Sequence, residues 1–151
     1  MSKLATEEVK QSLKLYIVLS RAHKAINEEL HSFFQANGVN PTEFAVLELL
    51  YHKGRQPLQV IGSKILLASG SITYVVDKLE KRGYLNRVSC PNDRRVTYAE
   101  ISEAGEAFMA EVFPRHEIML HDLLGALDEE EKDQAITLLK KLGRSIKDLS
   151  Y

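Results

Sequence analysis

Polar and cationic side chains cluster in one short segment in the middle of this chain, SITYVVDKLEKRG at residues 71–83. The apolar residues of the segment repeat at helical spacing and predict a buried stripe: Ile72, Val75, Val76 and Leu79. The other faces carry hydrogen-bond donors and cations, which contact base edges and phosphates in the major groove of DNA. We therefore predict a recognition helix. Its base-facing residues are Ser71, Thr73, Tyr74 and Lys78. Its phosphate contacts are expected from Lys64, Lys81 and Arg82.

Two β-prone segments, 84–89 and 96–101, follow this helix and are joined by the basic turn CPNDRR. The turn places Arg94 and Arg95 at the tip of a predicted hairpin, directly after Asp93. Arginine suits a narrow minor groove, where negative potential is focused. A recognition helix followed by a basic hairpin is typical of a winged helix-turn-helix, so the pattern predicts binding to double-stranded DNA.

The preceding helices must position the recognition helix, and local signals predict where they begin and end. A first helix is predicted at about 7–36, with Asn37-Gly38 as its stop. The run Asn40-Pro41-Thr42-Glu43 predicts the capped start of a second helix. A third helix is predicted at about 59–66, and Ser69 is expected to cap the recognition helix and direct its amides toward phosphate.

Two more helices are predicted after the hairpin, the first capped by Ser102 and expected to bend at Pro114, the second capped by Asp128. Apolar residues in the last helix recur at the spacing of a helix–helix seam: Ala135, Leu139, Leu142, Ile146 and Leu149. The first helix has a matching apolar face. The two could cover their own domain, but a two-fold homodimer would double the DNA contacts and match a palindromic operator.

The distribution of charge supports a DNA-facing middle. Residues 53–95 contain nine Lys and Arg against three Asp and Glu, whereas the rest contains eleven against eighteen. The overall net charge of −1 therefore conceals a basic segment between acidic flanks. A chance fluctuation in surface charge is the alternative, and the basic hairpin argues against it.

The runs DKLEKRGYLNR, NDRR and EISEAG resemble the MarR family of bacterial transcriptional regulators. The resemblance extends along the whole chain, and NPTEFAVLELLYHKG and ILLASGSITYVVDKLE are most similar to the MhqR branch, which is associated with quinones and related aromatics. Within the family motif, Arg95 matches the arginine that enters the minor groove, and Asp93 matches the acid that holds it. The run Gly62-Ser63-Lys64 departs from the family pattern, where small apolar residues are commoner.

The resemblance implies a mainly α fold with a small β-wing, as a single domain over residues 1–151. A winged helix-turn-helix core is expected at 41–101, between dimerisation helices at 5–37 and 102–149. No enzyme motif accompanies it: the chain lacks a Gly-rich phosphate loop and a nucleophile motif. We therefore expect no catalytic residues, and no cofactor.

The family usually represses transcription from a pseudo-palindromic operator. A small aromatic, phenolic or quinone-like signal is expected to release the repressor. The family's ligand pocket lies where the first, second and fifth helices meet the winged domain. The residues expected to line it are Tyr16, His23, Phe44, Tyr51 and His116. Core packing is the alternative for Tyr16 and Phe44.

A thiol-based redox sensor is a second hypothesis for the signal. Cys90 is the only cysteine, so no intrachain disulfide can form, and it lies beside the predicted wing near Arg87, whose charge would favour a thiolate. Redox-sensing relatives usually carry their cysteine on the first helix, which favours an incidental surface cysteine instead.

Other patterns bear on partners and location. The histidines form no metal-binding pattern, so no metal is expected. The first residues, MSKLATEEVK, lack the basic-then-apolar pattern of a signal peptide, and no apolar run reaches membrane-spanning length. These features predict a cytoplasmic protein, associated with the nucleoid when bound to DNA, with no membrane partner. A winged-helix module that contacts only proteins, without binding DNA, is the alternative from another class.

Overall fold

The structure, a computed structural model, describes residues 6–65 and 71–149. The chain divides into two compact units, the first ending at Pro114 and the second beginning at Arg115. In chain order the elements are α1 (Glu7–Ala36), α2 (Pro41–Lys53), β1 (Gln56–Pro57), α3 (Leu58–Lys64), α4 (Ile72–Lys81), β2 (Leu85–Ser89), β3 (Thr97–Ile101), α5 (Glu103–Leu123) and α6 (Glu129–Ile146). The mainly helical fold with a small β-wing is the one that the sequence predicts.

Helix α2 begins where its capping residues predict. Asn40 Oδ1 accepts a hydrogen bond from the Glu43 N–H at 2.7 Å, and Glu43 Oε1 accepts one from the Asn40 N–H at 3.0 Å. This reciprocal pair satisfies two amides at the start of α2 and confirms the predicted capping box. The start of α1 is capped by Thr6, whose hydroxyl oxygen accepts a hydrogen bond from the Val9 N–H.

The recognition helix α4 begins later than the sequence suggested. Its N-cap is Ser71, whose Oγ accepts from the Tyr74 N–H at 3.3 Å, so the prediction that Ser69 caps this helix was wrong. Ser69 itself lies outside the described residues. The helix ends where predicted, because Gly83 follows the cap residue Arg82 with a φ of 80°, a conformation that favours glycine.

The wing is an antiparallel hairpin of β2 and β3, and β1 pairs with the other edge of β3 to give the strand order β1-β3-β2. Arg87 and Gln56 both lie opposite Ala99 and therefore share one face of the sheet. Leu85 and Ala99 on that face are fully buried. The sheet thus packs this face against the helical core.

The core of the first unit is built from the inward faces of its helices and sheet. Helix α4 contributes Val75, Val76 and Leu79, which confirms the apolar stripe predicted for it. They join other buried apolar side chains from the same unit: Phe34, Val39, Phe44, Val46, Leu47, Leu50, Ile61, Leu85, Ala99, Met109 and Val112. Burial of one face of α4 leaves its other faces to solvent.

The second unit contains the end of α5 and all of α6. Asp128 caps α6 and forms a capping box with Glu131, as the sequence predicts. The helix ends at Ile146, so Leu149 lies beyond it and is not part of a continuous helical seam. Within residues 6–65 and 71–149, no helix is both long enough and apolar enough to cross a membrane.

Candidate nucleic-acid interface

Helix α4 presents its predicted contact residues to solvent. Thr73, Tyr74, Lys78 and Lys81 are all exposed, on the faces that the buried stripe leaves free. The Lys78 ammonium lies 5.8 Å from the centre of the Tyr74 ring, within the range of a cation–π interaction. The helix therefore offers a hydroxyl, a phenol and two ammonium groups to a groove.

Ser71 has a structural role that the sequence analysis did not assign. Its side-chain oxygen accepts the Tyr74 N–H as the helix cap, so this oxygen is engaged within the chain. Its hydroxyl hydrogen can still be donated, because a hydroxyl is both donor and acceptor. A base contact by Ser71 stays a prediction, as does any contact by Ser69.

The tip of the wing carries an arginine held by an acid. Asp93 Oδ1 accepts from Arg95 Nε at 3.1 Å and Asp93 Oδ2 accepts from Arg95 Nη2 at 3.2 Å. Oδ1 also accepts from the Arg95 backbone N–H at 3.0 Å. The Arg95 side chain is nevertheless 90% exposed. The planar fork of the guanidinium is thus oriented by Asp93 while its outer edge faces solvent.

These hydrogen bonds lower the pKa of the Asp93 carboxyl below its usual value, the side chain of Arg95 being the larger cause and its backbone N–H the smaller. A lowered pKa keeps the carboxylate ionised as the pH falls, until the pH passes through that lowered value. The Asp93–Arg95 pair therefore persists through the neutral and mildly acidic range.

Two further contacts define the surroundings of the wing tip. Gln59 Nε2 on α3 donates to the Arg95 backbone carbonyl at 3.4 Å, which links the tip to the helix that precedes the recognition helix. Arg94, beside Arg95, is exposed. Cations at adjacent positions of the tip suit the negative potential of a nucleic acid.

Arg82 has a different environment from the one predicted. Its Nη1 lies 3.4 Å from Oε2 of Glu43, a carboxylate that is only 3% exposed, and its guanidinium stacks 5.0 Å from the centre of the Tyr84 ring. The same Glu43 belongs to the capping box of α2. Arg82 therefore joins the end of α4 to the start of α2, and a phosphate contact by Arg82 stays a prediction.

Lys64 is also engaged within the chain. Its Nζ donates to Gln56 Oε1 at 2.7 Å, and Gln56 is buried on β1. Lys64 itself is exposed, so its ammonium retains donors for another acceptor. A phosphate contact by Lys64 stays a prediction.

Alanine substitutions of the neighbouring residues Lys81 and Arg82 should distinguish a phosphate contact from a structural ion pair. We expect Lys81→Ala to leave thermal stability unchanged and, if it contacts a phosphate, to lower the slope of log affinity against log salt by about 1. We expect Arg82→Ala to lower the free energy of unfolding by about 1–3 kcal/mol, because it leaves the buried Glu43 carboxylate without its cation. Denaturant unfolding and salt-titrated gel shifts measure both. If Arg82→Ala lowers the salt slope and leaves the free energy of unfolding unchanged, Arg82 contacts a phosphate instead of stabilising Glu43.

Cys90 lies at the turn of the wing. Cys90 is partly exposed, and its backbone N–H donates to the Val96 carbonyl at 3.0 Å, which closes the turn of the wing. The Arg87 guanidinium is bound instead by two carboxylates of α4, those of Asp77 and Glu80. A sensing role for Cys90 stays a prediction.

The residues expected to line a ligand pocket have unlike environments. Phe44 is buried and stacks on Phe34 with ring centres 4.5 Å apart, so it belongs to the core. Tyr16 and His23 lie on the exposed surface of α1, where the His23 ring contacts Asn27. Core packing, the alternative considered for both Tyr16 and Phe44, therefore holds for Phe44 but not for Tyr16 in this chain.

The other two expected ligand residues lie in different units. Tyr51 on α2 packs edge-on against the ring of His52, which in turn packs against Phe113 at 4.6 Å. His116 lies in the second unit, where burial lowers the pKa of its imidazole and the nearby Glu117 partly offsets that effect. Among the described residues, no group of three His, Cys, Asp or Glu side chains could hold a metal ion.

The chain is similar to known regulators of transcription. Residues 39–97 match the family model described as the MarR family. The HTH-type transcriptional regulator MhqR of Bacillus subtilis is 54% identical over 137 residues, covering 91% of this chain and 94% of that protein. The transcriptional repressor MprA of Escherichia coli is 35% identical over 119 residues, which cover 76% of this chain and 66% of that protein. A MarR family regulator from Streptomyces coelicolor, solved in complex with DNA, has the same fold at 19% identity, with a TM-score of 0.80 over 98% of this chain and 99% of that chain.

Proposed function

Because this chain belongs to the MarR family of DNA-binding transcriptional regulators, in its MhqR-like branch, we propose that it represses transcription as a homodimer bound to a pseudo-palindromic operator. The family consists of regulators rather than enzymes. A relative named as a transcriptional repressor supports the direction of regulation. Action on the bacterial chromosome would place the protein in the cytoplasm, at the nucleoid when bound.

The observation that carries the proposal is the arginine at the tip of the wing. Arg95 is 90% exposed, and Asp93 holds its guanidinium through two side-chain hydrogen bonds. A solvated loop would gain little from orienting an exposed arginine in this manner, whereas entry into a narrow minor groove requires that orientation. The exposed set on α4, led by Thr73, Tyr74 and Lys78, then supplies the contacts in the adjacent major groove.

The dimer is proposed from apolar side chains that one chain leaves exposed. On α1 these are Val9, Leu13, Leu15, Tyr16, Ile17 and Val18. On α6 they are Ile136, Leu138, Leu139, Leu142 and Ile146. Exposed apolar residues grouped on a long helix mark an interaction surface, and each of these two helices carries such a group. A second copy is the partner that the symmetry of a palindromic operator calls for.

The signal that we propose is a small aromatic molecule, phenolic or quinone-like. Its support is the similarity to MhqR, together with the resemblance of the sequence to that branch, which implies quinones and related aromatics as signals. The redox alternative rests on Cys90, which is partly exposed beside the wing. Replacing Cys90 with Ser separates the two: release of DNA by a quinone that persists in Cys90→Ser requires a non-covalent site or a different nucleophile.

Three substitutions test the wing. We expect Arg95→Ala to weaken operator binding by about 1–3 kcal/mol, as for other well-placed arginine contacts, and Arg95→Lys not to restore it, because lysine lacks the planar fork. Asp93→Ala should also weaken binding, because the guanidinium loses its holder. Simple electrostatics predicts the opposite sign, since that substitution removes a negative charge near DNA.

Gel shifts at fixed salt, together with a salt titration, measure these effects. Glu100→Ala is the matched control, because Glu100 is an exposed acid of β3 that makes no contact with Arg95 among the hydrogen bonds of the described wing. Tighter binding by Asp93→Ala, equal to that of the control, would refute the holder role. Wild-type protein that shows no salt-dependent binding to duplex DNA would favour the protein-contact module instead.

A further inference from the structure

Arg87 on β2 is bound to the recognition helix by two acids. Its Nη2 donates to Asp77 Oδ1, and its Nη1 donates to Glu80 Oε1 at 3.2 Å. Glu80 Oε2 also accepts from the Arg87 backbone N–H at 3.3 Å. Asp77 and Glu80 are three residues apart and therefore neighbours on one side of α4. A single arginine thus ties the C-terminal half of the recognition helix to the first strand of the wing.

We propose that Arg87 is a positioning residue, which sets the orientation of the recognition helix relative to the wing and does not itself contact DNA. This inference rests on the DNA-binding function proposed above and deepens it. Arg87, Asp77 and Glu80 together form a unit that we name the helix–wing clamp.

Burial distinguishes Arg87 from the arginine at the wing tip. The Arg87 side chain is 30% exposed, against 90% for Arg95, although each is paired with acid. The Arg87 Nε atom is buried and has no hydrogen-bond partner in the described part of the chain. A guanidinium that is covered in this manner, with both of its terminal nitrogens on carboxylates, is poorly placed to bind a phosphate.

The charges of the helix–wing clamp connect it to DNA binding. Asp77 and Glu80 are two neighbouring carboxylates on a helix that must approach a polyanion. Without Arg87 they would repel each other, and the helix would lose its bond to β2. Base contacts depend on hydrogen-bond geometry, whereas flexible lysines still reach phosphates after a small tilt. Loss of the clamp should therefore reduce sequence discrimination more than general affinity.

The test compares an operator duplex, selected by the wild-type protein from its own genome, with a scrambled duplex of the same length, across a salt series. We expect Arg87→Met to weaken operator binding about tenfold or more, as for loss of one well-placed base contact, with little change for scrambled DNA. The slope of log affinity against log salt should stay as in wild type, because no phosphate contact is lost. Arg55→Met is the matched control, since Arg55 is exposed and stacks on Tyr98, outside the clamp.

Asp77→Asn and Glu80→Gln test the inference by the direction in which each changes DNA affinity. Each removes a negative charge close to the DNA, so electrostatics alone predicts tighter binding to both duplexes, whereas the clamp predicts weaker binding to the operator. Circular dichroism establishes that each variant is folded at the temperature of the assay. If Arg87→Met does not fold, Arg87→Lys together with the two acid variants carries the test, because lysine keeps the charge but cannot bridge both carboxylates through a planar fork.

The results that would overturn the inference differ from the one that would overturn the proposed function. A salt slope reduced by about 1, with equal weakening on both duplexes, would show that Arg87 contacts a phosphate directly and would overturn the inference. Operator discrimination that is unchanged in Arg87→Met, or increased in Asp77→Asn, would also overturn it. Wild-type protein that binds neither duplex would overturn the proposed function itself.

Discussion

Gly105→Ala is expected to destabilise the first unit by about 3 kcal/mol or more, at the upper end of the effects of overpacking. A Cβ atom at this position would lie 2.1 Å from the Tyr84 carbonyl oxygen and 2.7 Å from Ile101 Cγ1. Moving the Tyr84 oxygen away would cost a hydrogen bond, because this oxygen accepts one from the Ser102 N–H at 3.0 Å. The Ser102 side chain in turn caps α5 by accepting the Gly105 N–H at 3.0 Å.

Denaturant unfolding of the two proteins measures this effect. Gly62→Ala is the matched control, since Gly62 also lies within a helix but, among residues 6–65 and 71–149, its Cβ would meet only a side-chain carbon of Ile72, at 3.3 Å. Alanine gains helix propensity over glycine by up to about 1 kcal/mol, which should offset that milder crowding. Equal stability changes for the two variants would show that the α5 start can shift away from Tyr84. DNA binding should fail in Gly105→Ala together with folding, because the wing follows directly from Tyr84.

Leu142→Glu is expected to convert the proposed dimer into monomers and to abolish operator binding at concentrations where wild type is saturated. An unpaired charge in a dry interface costs about 3–5 kcal/mol, and a two-fold interface carries the substitution twice. Each 1.4 kcal/mol corresponds to about a tenfold change in the dissociation constant. Leu142 is 40% exposed in the single chain, so the charge should have a smaller effect on the folding of one subunit.

Sedimentation at micromolar concentration and gel shifts measure the two outcomes. Thr137→Glu is the matched control, because Thr137 is exposed on the same helix, about 140° around the axis from Leu142. It adds the same charge to α6 without entering the proposed seam. A wild-type protein that sediments as a monomer, or a Leu142→Glu protein that remains dimeric, would refute the dimer. Loss of dimerisation in both variants would place the effect in the charge of α6 rather than in the seam.

The boundaries of most elements could be predicted from the sequence because their causes are local. The capping box of Asn40 and Glu43 joins residues three positions apart, and so does the one at Asp128 and Glu131. The amphipathic stripe of α4 repeats within one or two turns. The hairpin followed from two β-prone segments and a polar turn, and the Asp93–Arg95 bond joins residues only two positions apart. Interactions between residues a few positions apart can be predicted from the local sequence.

The environments of the individual arginines were decided only by the tertiary structure. Arg82 and Arg95 both occur in the basic middle of the chain, yet Arg82 meets the buried Glu43, thirty-nine residues earlier, whereas Arg95 remains exposed. Arg87 is similarly covered by acids of α4. Charge counts cannot separate a free cation from a neutralised one, because the pairing depends on how distant elements pack.

The same reason applies to Gly105. Gly105 ends the run EISEAG, which resembles a family motif, but the need for glycine arises from the Tyr84 carbonyl, twenty-one residues earlier in the chain. Local propensity would favour alanine within α5. The sequence by itself thus determined the elements and the chemistry of the wing tip. The packing of α4 against α2 and β2 decided which cations remain available for DNA, because burial and ion pairing are set by contacts between residues far apart in the chain.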